Sequence, residues 1–385
     1  MPHYRSVGEV PRKRHVQFRQ PDGRLYAEEL MGEEGFSSES ALLYHRELPT
    51  RIVRAEPAGT SGIPLAPASP LLPRHLLTHK LAEGGDLVTG RTVLMGNSTV
   101  RLSYVAATED SGLYRDADGD LCVYVESGRG RLESVFGALE VGPGDYVVVA
   151  TGTTHRWVVT DGPLRALVVE ARGHVGPPAR YLSQRGQLLE HAPYCERDLR
   201  APGEPLLVEG GETDVLVRRR GQLTTYTYAS HPFDVVGWDG CLYPYALSIH
   251  DFEPITGRLH QPPPVHQTFA GPGFVICSFV PRLLDYHPEA VPVPYNHANV
   301  DSDEVLFYVG GDFTSRAGSG IGQGSISVHP SGFVHGPQPG SVEAALGKPA
   351  TDELAVMVDT FAPLDLAAAC GDIDDPAYPW TWARR

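Results

Sequence analysis

From Asn97 onward the chain is written in short β-branched and aromatic runs cut apart by glycine, proline and aspartate. This punctuation most restricts what it can fold into. NSTVRLSYVAA, GDLCVYVES, RLESVFGALEV, DYVVVATG, HRWVVTD and RALVVEA succeed one another between residues 97 and 171. Several alternate apolar and polar side chains, the period-two signature of a half-buried strand. Joined by turns such as Gly142-Pro143-Gly144-Asp145, strands this short predict a double-sheet sandwich or jelly roll. A polar stretch at 197–213 reads as a linker or long crossover. A second series follows it: DVLVRRR, QLTTYTYAS, FDVVGW, GFVICSFV, EVLFYVGGDF, SISVHP and ELAVMVDTF. The expectation is an all-β, two-domain chain with an internally duplicated jelly roll, divided into 1–245 and 246–385. Residues 1–60 read as irregular, and short accessory helices are expected only near 38–46 and 364–370.

Composition supports this reading and removes several classes of function. Gly 42 and Pro 34 in 385 residues are spread along the chain, as many turns require. A formal charge of −15 lacks the basic footprint that nucleic acid demands. No segment has the continuous apolar length of a membrane span. The N-terminal MPHYRSVGEVPRKRH is basic without an apolar core, unlike a signal peptide. Cys122, Cys195, Cys241, Cys277 and Cys370 are scattered, odd in number and without a CxxC pair. They predict free thiols and a cytoplasmic setting.

Chemistry concentrates in the stretch Tyr295–Gly310 and in Gly324–Pro337. The first reads H-x-N-x4-E-x5-G, with His297, Asn299, Glu304 and Gly310. The second reads G-x5-P-x-G-x2-H and ends on His335. Both resemble the two motifs of cupin barrels, in which such residues converge at the barrel mouth, except that Asn299 stands where many cupins have a second histidine. Two histidines and one carboxylate are the donor set of non-haem Fe(II) oxygenases, with Mn(II) and Zn(II) as alternatives. Asp301 and Asp303 read as a solvated turn, with either as an alternative carboxylate to Glu304. His329 precedes the ligand strand and is expected to orient a ligand, as is Asn299. In the matching segments of the first unit only His155 remains, so that unit is expected to be structural.

The chain also resembles the homogentisate 1,2-dioxygenase family over most of its length. Leu25-Tyr26-Ala27-Glu28-Glu29-Leu30-Met31-Gly32, with Leu43-Tyr44-His45-Arg46, resembles that family's entry segment. Pro232-Phe233-Asp234-Val235-Val236-Gly237-Trp238-Asp239-Gly240, with Tyr243-Pro244-Tyr245, resembles a second family stretch. The resemblance implies a cupin fold, Fe(2+) at His297, Glu304 and His335, and ring opening of homogentisate by O2. It makes His260 the proton-transfer residue, with His266 competing, and puts Tyr295 against the substrate ring. Where the family binds the substrate carboxylate through a Tyr and a Lys, this chain has Phe313 and Arg316. Phe307, Phe313 and Phe333 are expected to wall the site against water. The implied partners are a small aromatic acid and O2, in a trimeric or hexameric homo-oligomer. Rivals are ring cleavage of another hydroquinone or aminophenol acid such as gentisate, a non-enzymatic small-molecule-binding cupin, and a metal-dependent isomerase.

Overall fold

The computed structural model describes residues 3–383. Its organisation follows from strands buried on both faces. In Asp303–Gly310, successive side chains point to opposite sides. Leu306 and Tyr308 look inward, where they join Val275, Cys277, Ala355 and Met357 in a small cluster. Val305, Phe307 and Val309 look outward into a much larger cluster shared with the first half of the chain. The strand Leu121–Ser134 divides in the same way. Leu121, Val123 and Val125 pack with Val147, Val149 and Trp157, while Cys122 and Tyr124 face the shared layer.

Two curled sheets therefore stand back to back, each with its own apolar interior. The seam between them is aromatic. Phe307 meets Tyr104 and Tyr124 at ring distances of 6.0 and 6.3 Å, and the Tyr146 hydroxyl bonds Ser278 Oγ at 2.8 Å. Each fully buried aromatic contributes about 1.5–3 kcal/mol, so this layer supplies much of the force holding the sheets together.

The sheets also exchange strands. The site-bearing sheet runs Gln267–Gly271, Phe274–Phe279, Leu354–Thr360, Asp303–Gly310, Ser325–His329 and Arg74–Leu77. Its last strand comes from the first half of the chain. In return Asp365–Ala367 pairs with Thr92–Gly96 in the larger sheet, and Tyr245–Ser248 pairs there with Asp145–Val149. This is an all-β cupin fold. Its α-helices among the described residues are short: Ser341–Ala345 and Cys370–Ile373. The five cysteines are free. No helix among the described residues is long and apolar enough to cross a membrane.

Three local expectations are corrected. The stretch expected to be irregular, 1–60, carries four strands within its described residues 3–60: Arg5–Gly8, Ala27–Gly32, Ser40–His45 and Ile52–Thr60. The helix expected near 38–46 is the strand Ser40–His45, hydrogen-bonded between Ala27–Gly32 and Val235–Gly240. Its partner lies almost two hundred residues away, and no local pattern reveals such pairing. Near 364–370 the chain forms the strand Asp365–Ala367, and helix begins only at Cys370. The stretch 197–213 behaves as a crossover, with regular structure only in its opening turn, the two-residue strand Leu199–Arg200 and the start of Thr213–Arg219.

Buried charge staples the first unit. Glu170 receives Arg101 Nε at 2.6 Å and Nη2 at 2.7 Å, with Arg91 and Arg218 each at 3.3 Å. Burial alone would raise its carboxyl, but the three guanidiniums hold it down at about 2. Removing one member of a buried ion-pair group leaves charge uncompensated. Glu170→Gln is expected to lose about 3–5 kcal/mol of stability in urea unfolding. His45 has the opposite sign. Burial lowers its pKa, but bonds to Asp234 at 2.6 Å and Glu29 at 3.0 Å outweigh it and raise the imidazole to about 9. The resulting stabilisation is complete below the ordinary value of 6.5 and is lost as pH rises through about 9. The gap in melting temperature between the native chain and His45→Gln should shrink across that window.

Candidate metal centre

Backbone pairing brings the two imidazoles of the second unit together. His297 and His335 exchange both main-chain hydrogen bonds, each N to O at 2.8 Å, as an isolated antiparallel bridge. Their side chains leave the ribbon with ring centroids 4.4 Å apart. Gly332 N donates to Asn299 O at 2.8 Å and extends the same ribbon. Glu304 comes from the mouth end of Asp303–Gly310, on the inward face that Leu306 and Tyr308 share.

The ligand atoms of His297, Glu304 and His335 all lie within 4.8 Å of one another. The Glu304 carboxylate is 3.7 Å from His297 Nε2 and 3.4 Å from His335 Nε2. His297 Nδ1 donates to Tyr295 O at 3.0 Å, and His335 Nδ1 to Phe333 O at 3.1 Å. Those bonds fix the tautomer and leave each Nε2 as a lone-pair donor. His335 Nε2 is buried without a hydrogen-bond partner, an arrangement that costs free energy unless a cation binds there. Burial would raise the Glu304 carboxyl, but the His297, His329 and His335 imidazoles gathered around it hold it well below its usual value. An ionised carboxylate and two aimed imidazole nitrogens fit a divalent metal.

A buried layer braces these three residues from behind. His329 Nδ1 donates to Glu304 Oε1 at 2.8 Å, and its ring stacks on His335 at 4.1 Å. Burial pushes the His329 pKa down to about 4, so it orients the carboxylate without adding charge. Its Nε2 meets the Tyr378 hydroxyl at 3.0 Å. Gly336 O, beside His335, accepts Arg316 Nη1 at 2.7 Å and Trp382 Nε1 at 3.1 Å. The aromatic C-terminal segment Tyr378–Ala383 thus sits directly under the site.

The other sequence-predicted residues are spread around this centre. His260 is half-buried with Nδ1 3.3 Å from Asp285 Oδ2, and its ring is edge-on to Tyr295 at 5.1 Å. Both line a cavity of about 340 Å³ that reaches Asn296 and Pro337, next to the two imidazoles in sequence. His266 instead lies against Phe279 at 4.5 Å, and burial pushes its pKa down to about 3. Phe313 packs edge-on to Tyr308 at 5.0 Å and joins the inward cluster. Arg316 is buried and gives Nε to the Tyr308 hydroxyl at 3.0 Å.

Phe307 does not wall the site. Strand alternation turns it away from Glu304 into the seam between the sheets. Phe333 is half-buried on the loop that carries His335. Asp301 is exposed, as expected of a solvated turn, but Asp303 is buried. The Asp303 carboxylate accepts Ser331 N and Leu364 N, each at 2.7 Å, which closes the loop below the site.

His155 repeats the local geometry of His335, with Nδ1 on Thr153 O at 2.9 Å and a buried, unpartnered Nε2. Among the described residues it belongs to no group of metal-type donors. Such a group does form at Glu33, Asp120 and His174. There His174 Nδ1 lies 3.2 Å from Glu33 and 3.5 Å from Asp120. The neighbouring Asp120 carboxylate raises the imidazole to about 9, so an ion pair accounts for the cluster.

Sequence reasoning missed Tyr378, Trp382 and Asp359. Asp359 lies opposite Glu304 in the sheet, and burial followed by the Glu304 charge pushes its carboxyl up to about 7. The alternation of Ala355, Met357 and Asp359 was a usable signal for an inward carboxylate.

Fold and centre define a cupin with a two-histidine, one-carboxylate donor set. A family model described as "Homogentisate 1,2-dioxygenase N-terminal" matches residues 80–249. The chain is 41% identical over 383 residues to "Putative dioxygenase SSO1533" of Saccharolobus solfataricus, covering 98% of each protein. It is 27% identical to the homogentisate 1,2-dioxygenase of Emericella nidulans, covering 69% of this chain and 60% of that enzyme. Against the homogentisate 1,2-dioxygenase of Rhodopseudomonas palustris the identity is 26%, covering 81% of this chain and 72% of the enzyme. The chain belongs to the homogentisate 1,2-dioxygenase family.

Gly336 marks how close the two site loops run. A Cβ there would lie 2.2 Å from Asn296 Oδ1 and 2.8 Å from Asn296 Cα. Gly336→Ala is therefore expected to wedge the His297–His335 bridge apart. Metal titration should show affinity weakened by about 10–100-fold, as when groups supporting metal ligands are disturbed.

Proposed function

We propose that this protein is an Fe(II)-dependent dioxygenase that opens the ring of homogentisate with O2 to give maleylacetoacetate. The observation that carries the reading is the convergence of two Nε2 lone pairs and one ionised carboxylate within 4.8 Å, above an apolar barrel interior. Iron(II) held by His297, Glu304 and His335 would supply the redox chemistry that lets O2 react with an aromatic ring.

The remaining roles belong to the chain's own side chains. His260 takes the proton of a ring hydroxyl. Asp285 engages its Nδ1, which leaves Nε2 as the base. His266 is the weaker alternative, because an imidazole with a pKa near 3 is too weak a base to draw off a phenolic proton. Tyr295 stands beside His260 to meet the ring. Arg316 supplies a fixed positive charge toward the substrate carboxylate, held by Tyr308 and Gly336. Phe313, Leu306 and Met357 keep bulk water from the reacting face. His329 and the Asn299 ribbon keep Glu304 and His297 in place. The C-terminal unit carries the centre, and the N-terminal unit frames it.

A second substrate is favoured by one specific observation. Phe313 has no hydrogen-bonding group, and Arg316 has already committed Nε and Nη1, so the carboxylate pocket is not built for one acid alone. Another hydroquinone acid such as gentisate is the alternative.

An oxygen-electrode assay on anaerobically iron-loaded protein separates these readings. Rapid uptake with homogentisate and little with gentisate is expected. The reverse order reassigns the substrate, and no uptake with either, with iron bound, removes the dioxygenase reading. His335→Ala should lose iron and oxygen uptake together. Stoichiometric iron in that variant would sink the ligand assignment.

A further inference from the structure

The strand Leu354–Thr360 carries Ala355 and Met357 into the inward cluster, and Asp359 follows on the same face two residues nearer the mouth. Asp359 stands directly opposite Glu304 in the antiparallel ladder. Side chains of such pairs share a face, with Cβ atoms about 4.5–5.5 Å apart. Asp359 Oδ1 is buried and has no hydrogen-bond partner.

Two carboxylates side by side in a barrel mouth repel unless something between them supplies positive charge or a proton donor. Glu304 has its partners in His297, His329 and His335. Asp359 has none at Oδ1, which leaves a buried acceptor without a partner on the face it shares with Glu304. It is carried by a wall strand rather than a loop, which fixes that acceptor in position.

We infer that Asp359 accepts a hydrogen bond from a ring hydroxyl of the bound aromatic acid, and so makes this barrel selective for phenolic acids over acids with an unsubstituted ring. The inference rests on the proposed metal-dependent site and adds to it a residue that reads the hydroxyl. A carboxylate acceptor rewards a hydroxyl strongly and gains nothing from a C–H edge.

Zn(II)-loaded protein allows the test without turnover. Metal content and the binding of 2,5-dihydroxyphenylacetate and phenylacetate would be measured by calorimetry for the native chain, Asp359→Asn and Asp359→Ala. Full zinc is expected in all three. Asp359→Ala should bind the dihydroxy acid at least tenfold more weakly while phenylacetate binding is unchanged. Asp359→Asn, whose amide oxygen still accepts, should fall between. An unchanged ratio of the two affinities in both variants overturns the assignment. Loss of zinc from both variants also overturns it, because Asp359 would then serve the metal. A native chain that takes up no zinc, or does not prefer the hydroxylated ring, fails at the proposed site itself. Failure seen only in the variants is specific to Asp359.

Discussion

The pair of main-chain hydrogen bonds between His297 and His335 is the constraint on which the centre depends. Each histidine lies on an irregular segment, outside the regular strands, and neither segment would hold its side chain by itself. Exchanging two backbone bonds locks the segments into one ribbon and sends both imidazoles the same way. Glu304, fixed in a wall strand, then needs only His329 to turn its carboxylate toward them. Gly336 lets the second segment pass close to Asn296, and its carbonyl is held by Arg316 and Trp382. Geometry at the centre is thus set by the main chain and by side chains that brace it from behind.

That ribbon is rigid because the sheet beneath it is buried twice. The inward face of Asp303–Gly310 ends in the site, and its outward face is anchored by Phe307 among the tyrosines of the other sheet. A movement of this strand would disturb both layers together. The first unit, with His155 lacking carboxylate partners, contributes this anchoring surface and the strand Arg74–Leu77.

Much of this was legible in the sequence. The strand series, the crossover and the positions of His297, Glu304, His335 and His329 follow from period-two alternation and motif spacing, both local signals. Phe307 shows where the method weakens. Its aromatic character marked it as a wall residue, but only its odd position relative to Glu304 says which wall. Ser40–His45 shows a different gap. Its apolar residues fit helix or strand, and the choice was made by Val235–Gly240. Tyr378 and Trp382 lie far from both motifs, and nothing local connects them to His329.

Residue identity and spacing by themselves determined the all-β class and the metal-type donor set, because each is encoded in chemistry or periodicity along a short stretch of chain. Only the tertiary structure decided that His260 rather than His266 faces a cavity with Tyr295, that Arg316 is pinned by Tyr308 and Gly336, and that Asp359 stands beside Glu304. These are contacts between segments remote in sequence. They are set by strand register and by which face of each strand is buried, and both become fixed only when the two sheets close against one another.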